Sequence, residues 1–359
     1  AYRYENGRIY LTGSQNGGRD AYISAMFDVS SAVSVAEYDV SVPNGYKPEI
    51  AEKAKAILVK FGQAIVTIPF VLSALGFDKQ IHDDEGYAYH CDDGIWDTFR
   101  GMHPLQLIIE PKVHRDTIES YLRMYKESGW LPRFPYLGGN VPCMIGHHTV
   151  SILAESAAKG VEFDLELAYE AAYKNATKRT MLPWKDGEAE ELTQCYYDNG
   201  FFPGLEEDEE ETCDKVHEFE NRQSVAVTIE HSYDDWCVAQ LAARLGKHDE
   251  AAFFLKRAMN YKKLYDEKIG FFHPRKIDGS FTEKYNPKFC GGQGGRMYYA
   301  ENNAYIYNFG AQHDMEGTVE LMGGKEAFAE KLDNLYVEQY DGVLKSTFLM
   351  QYPDATGLM

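Results

Sequence analysis

The chain carries no basic excess to offer a polyanion. Lys and Arg total 36 against 56 Asp and Glu, a formal net charge of −20. No cationic stripe can then displace counterions from phosphates, and nucleic-acid binding is not expected. Cysteine is scarce too. Cys91, Cys143, Cys195, Cys213, Cys237 and Cys290 form no Cys-x-x-Cys pair and no zinc spacing. Cys143 and Cys237 sit among apolar neighbours and are expected to be small buried thiols. The most apolar stretch, AILVKFGQAIVTIPFVLSAL, is broken by Lys60, Gln63 and Pro69 and reads as two strands, not a membrane span. No secretory leader precedes Ala1, as expected of a mature or trimmed product. A repeat of fixed period is also lacking. The Asn-Ala-Thr at Asn175 is a glycosylation sequon by pattern only.

Aromatic residues, by contrast, are abundant at 14%, with 26 tyrosines. Such surfaces stack on sugars, bases and peptides alike, so they favour a binding cleft without naming its ligand. Up to about residue 75 the chain alternates in β fashion, with Asn-Gly turn signals in GRIYLTGS and DAYISAMFDVSSAVSVAEYDV and their flanks. From about residue 100 the period becomes helical. PKVHRDTIESYLRMYKESG opens on Pro111, places Val113, Ile118, Tyr121, Leu122 and Tyr125 on one side, and stops at Gly129. Gly160 closes another helix and Asp164 caps the next. YDDWCVAQLAARLGKHDEAAFFLKRAMNYKKLYD reads as a helical hairpin turning at Gly246 and Lys247, and KEAFAEKLDNLY as one more helix. Helix pairs on short loops suggest a mainly α fold, an α/α toroid or an α-solenoid, and the lack of a fixed repeat favours the toroid. The acidic run LEEDEEETCD is expected to be a solvated loop.

Four polar and aromatic clusters, expected in loops, punctuate the helices. DDGIWDTFRGMHPL holds Trp96, Asp97, Arg100 and His103. GWLPRFPYLGGNVPCMIGHH holds Trp130, Asn140, His147 and His148. TIEHSYDDW holds Glu230, Tyr233, Asp234 and Asp235. RMYYAENNAYIYNFGAQHDMEG sets Glu301 in a belt of Tyr298, Tyr299, Tyr305, Tyr307 and Phe309, ahead of His313 and Asp314. Each has a structural reading: YDDW suits a helix N-terminal cap, and a single histidine is most often a hydrogen-bonded framework residue. A toroid, however, gathers the loops at one end of its helix pairs into one cleft. Aromatic faces for sugar C–H bonds beside Asp, Glu, Arg and His for hydroxyls equip such a cleft for carbohydrate.

WDTFRGMHPL, GWLP, CMIGHH, IEHSYDDWCVAQLA, GSFTE and AENNAYIYNFGAQHDMEG together resemble, in order, the landmarks of glycoside hydrolase family 92, the calcium-dependent exo-α-mannosidases, over about residues 86 to 356. The resemblance implies a β-sandwich followed by an (α/α)6 barrel, here a partial β-sandwich region over 1–80 and an incomplete (α/α)6 toroid over 81–359, and removal of terminal α-mannose with inversion. Inversion needs one acid at the leaving oxygen and one base activating water on the far face. The family's acid lies twelve positions before the His of its His-Asp-x-Glu-Gly motif, which is Glu301 here. Surrounding aromatic surface would disfavour ionisation of that carboxyl. Trp96 and Asp97 match the family's sugar-contacting pair, and Arg100 and His148 lie in matching motifs. Glu230, Asp234 and Asp235 match its acidic hairpin, where sugar contact and helix capping are both open. His313 and Asp314 shape the cleft, or Asp314 caps the following helix.

The chain departs from the family in having Asn302 after the acid and Tyr305 where a Trp is usual. Its 359 residues contain neither the Asn-Glu-Pro-Ser loop expected to supply calcium ligands nor the Gly-Asn-Asp-Asp segment expected to supply the base. The metal ligands are therefore unassigned, and the chain is expected to be a fragment of an enzyme acting on α-mannoside glycans of N-glycan or mannan type. The alternatives are a catalytically silent mannoside-binding homologue and a different α/α-toroid enzyme such as a lyase. A lyase's anionic polymer suits a chain of this charge poorly. Action outside the cytoplasm, at a secreted, periplasmic or cell-surface site, is the family's expectation.

Overall fold

The structure, a computed structural model, describes residues 2–5, 8–15, 19–26, 71–73, 89–136, 139–288 and 297–337. The chain divides into two compact units, one of Ala1–Asp92 with Tyr136–Gly139, the other of Asp93–Pro135 with Asn140–Met359. In the first, β1 (Tyr2–Glu5), β2 (Arg8–Gln15), β3 (Arg19–Met26) and β4 (Val71–Ser73) make one antiparallel sheet in the order β1-β2-β3-β4. Leu11 stands opposite Ile23 and Ile9 opposite Ala25. Of the expected β region, residues 27–70 and 74–80 lie outside the described residues, and with them all of the AILV stretch except Val71–Ser73.

The second unit is mainly helical. Short helices α1 (Ile95–Thr98) and α2 (Met102–Ile109) lead into α3 (Pro111–Ser128). Pro111 starts α3, where the missing N–H has no partner to lose, and Gly129 ends it at φ 83°, its amide donating to the Tyr125 carbonyl at 2.8 Å. The face carrying Ile118, Tyr121, Leu122 and Tyr125 is buried as the spacing requires, with Val113 at its half-buried edge. α4 (Thr149–Ala158) is followed by α5 (Leu165–Lys178), whose first turn Asp164 caps by accepting the Leu167 amide at 3.0 Å. Asn175 is buried inside α5, so its sequon is closed to glycosylation. α6 (Glu191–Asn199) comes next.

The organising element is α7 (Ser224–Arg244), packed against α4, α5 and α8 (His248–Ala258). The α7–α8 hairpin turns at Gly246, φ 70°, with Lys247 as the N-cap of α8. α7 starts at Ser224, so YDDW is the middle of a helix, not a cap and not a loop. Neighbours cover α7 on nearly every side, which removes the apolar–polar periodicity that marks a surface helix. Its unpaired first amides are met by backbone: Ser224 donates to the Met297 carbonyl at 3.2 Å, and Val225 and Ala226 to that of Tyr298 at 2.9 and 3.0 Å. The segment bearing Glu301 is thereby tied to the helix bearing Glu230. Beyond it lie α9 (Ala304–Tyr307), α10 (Met315–Leu321) and α11 (Lys325–Val337). Cys237 is buried, whereas Cys143 is only half-buried.

Candidate active site

The WDTFR segment is held from beneath. Asp93 accepts the Thr98 hydroxyl at 2.6 Å, stands 2.7 Å from His103 Nε2, and takes the Tyr121 hydroxyl. Burial would raise the Asp93 pKa, but these partners, His103 above all, hold it below the usual carboxylate range. This knot ties α1 to α2 and α3, so Trp96 and Arg100 are presented by a fixed turn.

They face a cavity of about 340 Å³. Trp96, Arg100, Glu230, Asn302 and Tyr307 line it together with the apolar Ile306, Phe309, Met315, Phe328 and Leu332. Arg100 Nη2 donates to Glu230 at 2.9 Å (Oε1) and 3.2 Å (Oε2). Trp96 is 5% exposed, and its buried indole N–H has no hydrogen-bond partner among the described residues. An unmet buried donor costs free energy on the order of 1–3 kcal/mol unless an acceptor is supplied.

Glu230 lies between two cations. His148 Nε2 is 3.3 Å from Glu230 Oε2, and His148 Nδ1 is 2.8 Å from Asp234 Oδ1. Burial alone would lower the His148 pKa, but Asp234 and Glu230 outweigh it and raise it to about 9. Burial works against the Glu230 carboxylate as well, yet Arg100 and His148 leave its pKa lowered. His147, the preceding residue, is in the opposite state. Buried beside His231 and Arg133, it is pushed well below the ordinary histidine value, and its Nε2 lies 3.1 Å from the Arg133 guanidinium as an acceptor.

Glu301 is half-buried at φ 52°, a left-handed backbone that non-glycine residues adopt at a cost of roughly 1–3 kcal/mol. Its neighbours Ala300 and Asn302 both line the cavity. Burial first, then Glu230 and Glu301, push the Tyr307 phenol well above its ordinary pKa, with Arg100 opposing. The belt itself is framework: Tyr298, Tyr299 and Tyr307 donate to the carbonyls of Leu205 (2.7 Å), Phe272 (2.6 Å) and Ala300 (3.3 Å).

The structure therefore brings Trp96, Arg100 and Glu230 to one cavity, with His148 and Asp234 behind Glu230 and Glu301 in the adjoining loop. Four other candidates stand elsewhere. Asp97 is exposed and outside the cavity lining. Asp235 is held by Arg257 at 2.5 and 2.9 Å and by the Tyr196 hydroxyl at 2.9 Å. His313 Nε2 donates to the Ala258 carbonyl at 2.8 Å. Asp314 caps α10 through the Gly317 amide at 3.0 Å and pairs with Lys262 at 2.8 Å. Asn302 also lines the cavity, and its sequence signal is only adjacency to Glu301; Tyr307 joins the lining as a member of the belt. Among the described residues no group of three or more His, Cys, Asp and Glu side chains could hold a metal ion. The acids nearest the cavity are already committed, Glu230 to Arg100 and His148, Asp234 to His148.

The chain is 31% identical to a family GH92 α-mannosidase from Bacteroides thetaiotaomicron determined in complex with mannoimidazole, with a TM-score of 0.63 over 74% of this chain and 32% of that one. A GH92 inverting mannosidase from the same organism, 22% identical, shares the fold with a TM-score of 0.67 over 98% of this chain and 56% of that chain. A relative from Arthroderma benhamiae, described as an uncharacterized secreted glycosidase, is 27% identical over 265 residues, 66% of this chain and 32% of the relative. The chain thus spans about a third of the length of two of these proteins. The glycosyl hydrolase family 92 catalytic-domain model matches residues 61–355, and to that family the chain belongs.

Proposed function

We propose that the cavity binds the terminal residue of an α-mannoside and that Glu301 is the general acid of an inverting hydrolysis. The observation that carries this reading is one cavity lined by the Arg100–Glu230 pair and by Trp96, whose indole N–H has no hydrogen-bond partner among the described residues. A guanidinium and a carboxylate in the lining suit a ring of hydroxyls, and the apolar lining residues suit C–H faces. Glu301 protonates the leaving oxygen; a base on the opposite face, not assigned to any described residue, deprotonates the attacking water. Membership of the family and its α-mannosidase relatives support the substrate class, and the relative described as secreted supports action outside the cytoplasm. In this reading the helix pairs are part of an (α/α)6 ring behind an amino-terminal β-sandwich. Calcium is implied by the resemblance. The described acids do not fit its shell, so no step here passes through the ion.

The test is incubation with an α-linked mannobiose, following release and anomer by NMR. The expected product is β-mannose, with release slowed by ~10²–10⁴-fold in Glu301→Gln. Initial α-mannose, or undiminished release by that variant, would contradict the reading. Mannoside bound with no release would support instead a silent mannoside-binding homologue.

A further inference from the structure

Glu230 and Asp234 are one turn apart on a buried helix, so their carboxylates share a face and repel. A single imidazole stands between them. His148 spans 2.8 Å to Asp234 Oδ1 and 3.3 Å to Glu230 Oε2, and its ring stacks on Phe99 with centroids 4.1 Å apart. The other Asp234 oxygen accepts the His147 amide at 2.6 Å. Asp234 therefore grips the backbone that carries His148 and the ring of His148 together. Only Glu230 reaches the cavity; Asp234 is absent from its lining.

We propose that Asp234 is a positioning residue: by fixing His148 between the two carboxylates it holds Glu230, against the pull of Arg100, in the place from which it takes a substrate hydroxyl. This rests on the mannoside reading of the cavity for the hydroxyl, but not for the clamp itself. The charged and titratable groups around His148 are consistent with one fixed imidazolium. From α7, Asp234 and Glu230 face it directly. His231 of the same helix, 3.7 Å from Asp234 Oδ2, is buried among cations and held well below its ordinary pKa. On its own segment His147 is neutral, and Arg133 lies beyond it. Arg100, from the α1–α2 link, engages Glu230 on the other side. Tyr233, whose ring is 6.4 Å from that of His148, stays a neutral phenol.

Two readouts on the intact chain decide it. The first is the ¹⁵N imidazole titration of His148, assigned by its loss in His148→Gln. The unmodified protein is expected to keep both ring protons until the pH nears 9. In Asp234→Asn the midpoint is expected to fall by about two pH units. The second is methyl α-mannoside affinity. In the variant it is expected to weaken about tenfold between pH 6 and pH 8, where the unmodified protein holds constant. A residue that merely stabilised the fold would lower the melting temperature and move neither readout. A His148 midpoint at or below the ordinary histidine value in the unmodified protein overturns the proposal even if Asp234→Asn does not fold. So does an unshifted midpoint or a pH-independent affinity in the variant. Failure of the unmodified protein to bind mannoside overturns the mannoside reading instead, and the titration then decides the clamp alone.

Discussion

Gly146 shows how narrowly the site is built. It stands at φ 77°, and a Cβ there would run into the ring of His148, which folds back over its own backbone to reach Asp234 and Glu230. Gly146→Ala should therefore combine left-handed strain with displacement of His148, at a cost on the order of 1–3 kcal/mol. A fall of several degrees in melting temperature with weakened mannoside binding is expected; unchanged values for both would contradict this packing. The residues that motif order placed at the sugar fall into two groups for a geometric reason. Asp234 and Asp235 are neighbours in sequence, yet successive helical side chains diverge by about 100°. One consequently meets His148 while the other meets Arg257. Spacing alone cannot choose between them. Glu301 is proposed as the acid through its distance from His313 in the family pattern, and the φ of 52° that marks it as unusual leaves no trace in residue type.

Helix boundaries set by local chemistry were readable: Pro111 and Gly129, the Asp164 cap, and the Gly246 turn all behave as their residue types require. Of α7 only the part from Tyr233 onward was readable as helix; its first half was not, since a helix covered on nearly every side lacks an amphipathic period, and its Glu230, His231, Asp234 and Asp235 mimic a polar loop. The same ambiguity held for Asp314, which could face the cleft or cap α10. Its contacts are the Gly317 amide, Lys262 and the Tyr261 hydroxyl at 2.7 Å. Asp314→Ala should then lower stability by ~1 kcal/mol in urea unfolding and leave mannoside affinity within a few fold. A large loss of affinity with stability intact would return Asp314 to the cleft.

Across the molecule, the buried charges are satisfied in pairs and knots: Asp93 with His103, Glu230 with Arg100 and His148, Asp235 with Arg257. Breaking such pairs leaves uncompensated buried charge, which makes them framework first and chemistry second. Trp96 lines the cavity with an indole N–H that has no hydrogen-bond partner among the described residues, and no sequence pattern distinguishes it from a core tryptophan. It also offers the most direct test. The four tryptophan indole N–H resonances are resolved by ¹⁵N NMR, Trp96 is assigned through Trp96→Phe, and methyl α-mannoside is titrated against methyl α-glucoside. The account expects the Trp96 resonance to move to saturation with the mannoside and far less with its C2 epimer. A Trp96 resonance that stays still while mannoside binds elsewhere, or that moves equally with both sugars, would contradict it.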